Sequence, residues 1–200
     1  MIKKSVKEKI DRTIKEVWLK NISNDYFNYH ILKEDTLKNS FYYHIRRKLG
    51  TKFLEENNIR IFTEFNDSEL KKGRKADIAI VEIGSDTSGY IGNNIKSIIA
   101  IIELKLGGYY HPDEVFYDDI NKVKEYINYW KIDCLFYLGF IAEKEYDCPK
   151  WLNKNATNNW ADKKVTVLSA NYDSNNDNIP FTFYVQSCNQ YNKDLSNVHH

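Results

Sequence analysis

Apolar and polar positions recur along the chain with a period that changes from helical to strand-like and back. Residues 5–18 and 34–49 repeat their apolar positions every three or four residues, which predicts two helices. Gly50 provides a C-terminal stop for the second helix. A polar and aromatic break is predicted between the helices, at 21–30. Apolar runs and alternating patterns then predict three strands, at 59–65, 76–83 and 98–106.

The second half of the chain continues this succession of helices and strands. A helix is predicted over 112–130, since proline suits its first position and apolar residues follow with helical period. Residues 132–142 form an apolar run typical of a buried strand. Because a helical crossover leads to this strand, we expect it to run parallel to its predecessor. Two further strands are predicted at 164–170 and 181–186. The pattern indicates one α/β domain over residues 1–200.

Two of the predicted strands carry ionisable residues where burial is expected. Asp77 lies in 76–83, and Glu103 and Lys105 lie in 98–106. On regular alternation, the odd-numbered positions of 98–106 share one sheet face and the even-numbered positions share the other. A buried charge without a partner is costly, so a compensating cation is expected. Two carboxylates can hold a Mg²⁺ ion that also binds a phosphate oxygen, which suits metal-assisted phosphodiester hydrolysis.

Asp77, 25 intervening residues and then Glu103-Leu104-Lys105 resemble the D…(D/E)xK signature of the PD-(D/E)xK nuclease superfamily. The resemblance covers about residues 31–142. It implies the restriction-endonuclease-like fold, an αβββαβ core with a mixed central sheet flanked by helices. It also implies that Asp77 and Glu103 bind Mg²⁺ with help from the Leu104 carbonyl, and that Mn²⁺ substitutes. Lys105 would then serve the attacking water.

The remainder of the chain is interpreted relative to that core. Residues 1–30 become an N-terminal helical extension, and residues 143–200 a C-terminal extension that carries strands. One position departs from the family pattern, because Ala76 stands where the family has proline. In related nucleases a polar residue of the helix after the signature approaches the lysine, which makes Lys122 a candidate neighbour of the site. The alternative for Lys122 is an exposed helix lysine.

A third acidic residue is expected near the metal, and two residues are candidates. Glu34 begins the predicted helix 34–49 and shares its inward face, like the helix glutamate of the family. The alternative role for Glu34 is compensation of the helix dipole, together with Asp35. Glu64, in the first predicted strand, is the other candidate for the third acid.

Charge is unevenly distributed, although the formal net charge is only +1. Residues 1–75 contain 18 Lys and Arg against 11 Asp and Glu, whereas residues 76–200 contain 11 against 17. Two basic clusters in the first part are suited to bind phosphates on either side of a scissile bond. The alternative for each cluster is a solvated charged surface. The predicted nucleic-acid contacts are Arg46, Arg47, Lys71, Lys72, Arg74 and Lys75.

Several classes of protein are disfavoured by the sequence. The N-terminal segment is charged throughout and lacks the apolar core of a signal peptide. The longest apolar stretch, 134–142, is too short to span a bilayer. The three cysteines form no metal or disulfide pattern, and no phosphate-binding glycine motif is present. We therefore expect a cytoplasmic protein without a membrane partner.

The expected function is a Mg²⁺-dependent nuclease of the restriction, defence or repair type. DNA is favoured over RNA as the substrate, and a homodimer is left open. One alternative is a catalytically inactive module on the same fold that binds nucleic acid or protein. Another is purely structural, with Asp77 or Glu103 forming a cross-strand salt bridge with Lys105. Placement of Asp77 and Glu103 on opposite sheet faces would contradict the nuclease prediction.

Overall fold

The computed structural model of the protein describes residues 2–66, 75–84, 89, 91–107, 114–128, 134–146, 164–173 and 181–187. Within these residues the α-helices are α1 (Lys4–Glu16), α2 (Ser23–Phe27), α3 (Glu34–Leu49), α4 (Thr51–Glu56) and α5 (Glu114–Asn128). The shorter helical segments are a π-helix (Val17–Ile22) and a 3₁₀-helix (Ile91–Asn94). The strands are β1 (Ile59–Phe65), β2 (Ala76–Ile83), β3 (Ile95–Gly107), β4 (Leu135–Tyr146), β5 (Val165–Asp173) and β6 (Thr182–Ser187).

The strands form one six-stranded mixed sheet in the order β1-β2-β3-β4-β5-β6. β1, β2 and β3 are antiparallel neighbours, β3, β4 and β5 run parallel, and β6 is antiparallel to β5. The chain passes through α5 between β3 and β4, and such a helical crossover returns the chain in the same direction. The predictions of a parallel fourth strand and of an α/β fold with a mixed sheet are confirmed.

Helices cover both faces of the sheet, which explains why its central strands are apolar on both sides. One face packs against α1, the π-helix and α3, where Trp18 and Phe41 are fully buried. The opposite face packs against α5 through Phe116 and Val123. The α5 face is the one that carries the candidate site.

Strand β3 departs from the regular alternation that the sequence predicts. Ile80 pairs with Ala100 and Val81 pairs with Ile98, so Ile99 is an extra residue that forms a β-bulge. As a result Ile98 packs on the α5 face and Ile99 on the opposite face, the reverse of the prediction. After the bulge, alternation resumes with the odd-numbered positions toward α5.

The N-terminal helices are longer than the sequence predicts. The predicted break at 21–30 is wrong for 21–27, because the chain continues through the π-helix into α2 and buries Trp18 and Ile22. The sequence pattern also does not predict α4. Gly50, with a φ of +78°, ends α3, and a new helix starts directly after it.

The remaining boundaries agree closely with the predictions. α3, β1 and β2 have the predicted bounds, β3 begins three residues earlier at Ile95, and β4 continues to Tyr146. The predicted helix ends at 112–113 and 129–130 lie outside the described residues. None of the helices in the described part of the chain is long and apolar enough to cross a membrane.

A buried polar network ties α1 to the sheet. Lys15 Nζ lies 2.8 Å from Asp11 Oδ2, and the Tyr137 hydroxyl donates to Asp11 Oδ1 at 2.8 Å. All three residues are almost completely buried. One turn further along the chain, Trp18 Nε1 donates to the Ser169 carbonyl at 3.2 Å. Because buried polar groups are costly without their partners, these contacts fix the position of α1 on the sheet.

We expect Lys15→Met to lower the free energy of unfolding by about 3–5 kcal/mol, because it removes one member of a buried ion pair. The double variant Asp11→Leu/Lys15→Met should lose less than the sum of the two single changes. Lys4→Met is the matched control, since its ion pair with Glu8 is exposed and should contribute little. Urea unfolding followed by circular dichroism measures all four variants. Equal losses in Lys15→Met and Lys4→Met would contradict a stabilising role for the network.

Candidate metal centre

The ladder between β2 and β3 ends where Asp77 and Glu103 meet. The last pair of the ladder on this side joins Ile78 and Ile102. One residue further, the backbone N–H of Leu104 donates to Asp77 Oδ2 at 2.7 Å, and the N–H of Asp77 donates to Glu103 Oε2 at 3.4 Å. Two carboxylates therefore accept from backbone groups at the end of the strand pair. These hydrogen bonds hold both side chains at the place where the pairing of β2 with β3 ends.

Asp77 and Glu103 lie on the same face of the sheet, the one covered by α5. Asp77 is two residues from Ala79, and Glu103 is two residues from Ile101. Ala79 and Ile101 both belong to the core beneath α5. Burial raises the pKa of the Asp77 carboxyl, although the hydrogen bond from the Leu104 N–H opposes the shift. The opposite-face arrangement that would contradict a nuclease is not the one observed.

Glu103 is the most deeply buried acid of the site, with 0% of its surface exposed. Lys122 Nζ, from α5, lies 2.7 Å from Glu103 Oε2. Glu103 Oε1 is buried and has no hydrogen-bond partner among the described residues. Burial raises the pKa of Glu103 to about 8, although the Lys122 ammonium opposes the shift, and the Asp77 carboxylate adds to it. A buried acceptor without a donor is a position that a bound cation would stabilise.

Lys105 joins two other carboxylates beside Glu103. Its Nζ lies 3.0 Å from Glu34 Oε2, at the start of α3, and 3.4 Å from Asp119 Oδ2, on α5. Burial lowers the pKa of Lys105, but the Asp119 and Glu34 carboxylates outweigh it and raise the pKa above its ordinary value. Lys105 is therefore an ammonium at neutral pH. The purely structural alternative requires an ion pair between Lys105 and either Asp77 or Glu103. Within the described residues, Lys105 forms no such pair.

Asp119 is a site residue that the sequence analysis does not identify. It is buried, and burial raises the pKa of its carboxyl to about 6 against the opposing Lys105 and Lys122 ammonium groups. Asp119 and Lys122 are three residues apart on α5 and so share one helix face. This spacing is the feature of the sequence that could have identified the pair. Both residues, however, lie outside the apolar stripe of the helix and resemble ordinary surface charges.

The two candidates for the third acid have different partners. Glu34 contacts Lys105, whereas Glu64 Oε1 contacts Lys38 Nζ, and Glu64 Oε2 lies 3.9 Å from Lys75 Nζ. Burial lowers the pKa of Lys38, but Glu64 raises it to a net value above the ordinary one. Lys38 is another residue that the sequence analysis does not identify, although it follows Glu34 by one helical turn. The structure thus associates Glu34, and not Glu64, with the lysine of the signature.

The basic residues predicted to bind nucleic acid are only partly brought to the site. Lys75 precedes β2 and reaches Glu64, whereas Lys71, Lys72 and Arg74 lie outside the described residues. Arg46 and Arg47 are exposed on α3, where they donate to the hydroxyl groups of Tyr42 and Tyr43. At a rise of about 1.5 Å per residue, Arg46 lies roughly 18 Å along the helix from Glu34. The α3 arginines are therefore remote from the acidic residues.

The described residues fit a divalent cation held by two carboxylates. They contain no group of three acidic, histidine or cysteine side chains that could hold a metal ion together. Mg²⁺ commonly binds one or two carboxylates and keeps several of its waters, so Asp77, Glu103 and the Leu104 carbonyl form a sufficient set. A bound cation would also favour the ionised forms of the carboxyls whose pKa burial raises, which are those of Asp77, Glu103 and Asp119.

The raised pKa values of Glu103 and Asp119 predict that stability depends on pH when no divalent metal is bound. The folded state favours the protonated carboxyls, so their contribution is complete below the ordinary values of 4.5 and 3.8. It is lost as the pH rises through about 6 and about 8. Glu103→Gln should remove the part of this loss of stability that occurs near pH 8. The variant should therefore be more stable than the wild type at pH 8 by a few kcal/mol, which raises the Tm by several degrees.

Thermal unfolding in EDTA, at a series of pH values from mildly acidic to mildly alkaline, measures this effect. Val185→Ala is the control, because it removes buried apolar contacts and should lower the Tm equally at every pH. If Glu103→Gln kept the pH slope of the wild type, Glu103 would not be the titrating group.

Comparisons with known proteins identify no relative of this chain. No protein-family model matches the chain, and no curated protein or solved structure matches it. The geometry and electrostatics of the site itself are therefore what indicates a function.

Proposed function

We propose that the protein is a Mg²⁺-dependent nuclease that hydrolyses phosphodiester bonds in DNA. One observation carries this proposal: Asp77 and Glu103 are held side by side at the end of the β2–β3 ladder, on one sheet face. Lys105 lies two residues beyond Glu103 and remains charged. Two hard oxygen donors beside a fixed ammonium are the parts that metal-assisted phosphodiester hydrolysis requires.

The order of elements supports the restriction-endonuclease-like core as part of the proposal. Apart from the short helix α4, between α3 and β1, and the 3₁₀-helix, between β2 and β3, the elements α3, β1, β2, β3, α5 and β4 follow the order αβββαβ. Asp77 lies on the second of these strands and Glu103 on the third, where the family signature would place them. In this interpretation α1, the π-helix and α2 are an N-terminal extension, and β5 and β6 extend the sheet on its far side.

The protein contributes fixed positions for the metal ligands. Asp77, Glu103 and the Leu104 carbonyl would hold the ion, which when bound polarises the phosphodiester and lowers the pKa of a coordinated water. The Leu104 N–H orients the Asp77 carboxylate at 2.7 Å. Glu103 is completely buried, and its carboxyl is held by the Asp77 N–H and the Lys122 ammonium. Such preorganisation avoids the cost of arranging the ligands during the reaction.

Lys105 acts in this proposal as a fixed positive charge. Its contacts with Glu34 and Asp119 hold the ammonium in place and keep it protonated. An ammonium has three donors and no lone pair, so it can orient a water or stabilise negative charge on the phosphoryl oxygens. The same state makes Lys105 unsuited to remove a proton from the water. Glu34 and Asp119 are positioning residues for this charge.

The cost of the buried charges favours an active site over an inactive module. Burial raises the pKa of Asp77, Glu103 and Asp119 together, which shows that the ionised forms are disfavoured in the folded protein. Replacement of buried charges by apolar residues is often neutral or stabilising. Retention of three such carboxylates is therefore better explained by a task that needs their charge.

Asp77→Asn and Glu103→Gln should each abolish cleavage in Mg²⁺ and leave the fold intact, because each removes a negative metal ligand. Lys105→Ala should lower kcat by about 10²–10³ with little change in nucleic-acid affinity. The measurement is digestion of plasmid, linear single-stranded and branched DNA, and of RNA, with Mg²⁺ or EDTA.

Glu82→Gln is the matched control for these carboxylate variants. Glu82 is half-buried on β2 and accepts from the Ser97 hydroxyl at 3.1 Å, at the end of the strand remote from Asp77. This variant should cleave at the wild-type rate. Cleavage that persists in EDTA, or in Asp77→Asn, would contradict the metal-dependent mechanism.

The basic residues before β2 generate a separate prediction about binding. If Lys71, Lys72, Arg74 and Lys75 contact phosphates, their neutralisation should weaken DNA binding equally for different sequences. Each lost contact should also flatten the slope of log affinity against log salt by about 0.9. Fluorescence anisotropy in Ca²⁺, at several salt concentrations, measures the slope. An unchanged slope would move the binding surface to the exposed arginines of α3.

A further inference from the structure

The Lys122 ammonium lies beside the buried carboxyl of Glu103. Its Nζ lies 2.7 Å from Glu103 Oε2, and its side chain is only 13% exposed. Lys105, the other lysine of the site, pairs with Glu34 and Asp119 instead. In the part of the chain that the structure describes, Lys122 is thus the side chain that forms an ion pair with Glu103.

Lys122 contacts one of the two oxygens of Glu103, which is a proposed metal ligand. A Mg²⁺ ion binds oxygen at about 2.0–2.1 Å. The ammonium lies at 2.7 Å from Glu103 Oε2, whereas Glu103 Oε1 has no hydrogen-bond partner among the described residues. A Mg²⁺ ion bound to Oε1 would share one carboxylate with the ammonium, and two cations this close repel each other strongly where water is excluded. Because lysine carries its charge at the end of a flexible four-carbon chain, the ammonium can move away while α5 stays in place.

We propose that Lys122 is the counter-ion of Glu103 in the metal-free protein and that a divalent cation displaces it on binding. This inference rests on the proposed function, because it takes Glu103 as a metal ligand. Lys122 stabilises the buried carboxylate while the metal is absent, and it weakens metal binding because each ion must first displace the ammonium. The displaced ammonium remains attached to α5 beside the site, where a substrate phosphate would be its new partner.

Isothermal titration of the full chain with Mn²⁺ and with Mg²⁺, in the absence of nucleic acid, tests the exchange without any need for activity. Lys122→Met should bind both ions with a dissociation constant at least about tenfold lower than the wild type. Lys122→Gln, which keeps a donor but no charge, should change affinity in the same direction. Lys122→Arg keeps the charge and should stay within about threefold of the wild type.

Lys124→Met is the matched control, because Lys124 is exposed on the same helix and its loss changes the net charge equally. It should bind metal like the wild type. A second readout is thermal unfolding. Metal-free Lys122→Met should melt below the wild type, and saturating Mn²⁺ should raise its Tm by more than it raises that of the wild type. If Lys122→Met does not fold, Lys122→Gln provides the same comparison.

The possible outcomes separate this inference from the proposed function. Unchanged or weaker metal binding in Lys122→Met and Lys122→Gln overturns the exchange and leaves the proposed function intact. Lys122 would then only position Glu103. Absence of metal binding in the wild type and in every variant overturns both the exchange and the proposed function. Tighter binding in the two neutral variants, with no change in Lys124→Met, supports the exchange.

Discussion

The burial of the Glu103 carboxyl is the constraint on which the architecture of the site depends. Glu103 lies on a central strand with helices above both faces of the sheet, and none of its surface is exposed. A charge in such a place must be compensated by neighbouring groups or lost by protonation. β2 contributes the Asp77 N–H and α5 contributes Lys122, so two separate elements must be seated correctly. The crossover from β3 to β4 brings α5 over this face.

The residues of the signature could be predicted because isolated charges stand out within apolar strands. Asp77, Glu103 and Lys105 interrupt runs that otherwise have strand character, and strand bounds follow from local pattern. Asp119 and Lys38 could not be predicted in this way. Each lies on a helix, where charged residues are common, and its importance comes from contacts with strands distant in sequence. Such contacts depend on how a helix is rotated over the sheet, which periodicity alone does not determine.

Other deviations from the sequence-based expectations have physical causes of the same kind. The stretch 21–27 is polar and aromatic, yet it is helical, because the chain continues from the π-helix into α2 with Trp18 and Ile22 buried in the core. The bulge at Ile99 lies in a nearly uniform run of isoleucines, where a change of face leaves no mark in the sequence. Tertiary packing decides both features, and local propensity has little influence on either.

The bulge also separates the two ends of strand β3. The connection between β2 and β3 lies at one end of this hairpin, whereas Asp77 and Glu103 lie at the other. A second irregularity, next to Ile83, adds to the separation. Residues near the connection can therefore change the sheet face on which they lie without turning Glu103 to the opposite face. An insertion or deletion at this end of the hairpin would therefore change the connection while Asp77 and Glu103 keep their places at the other end.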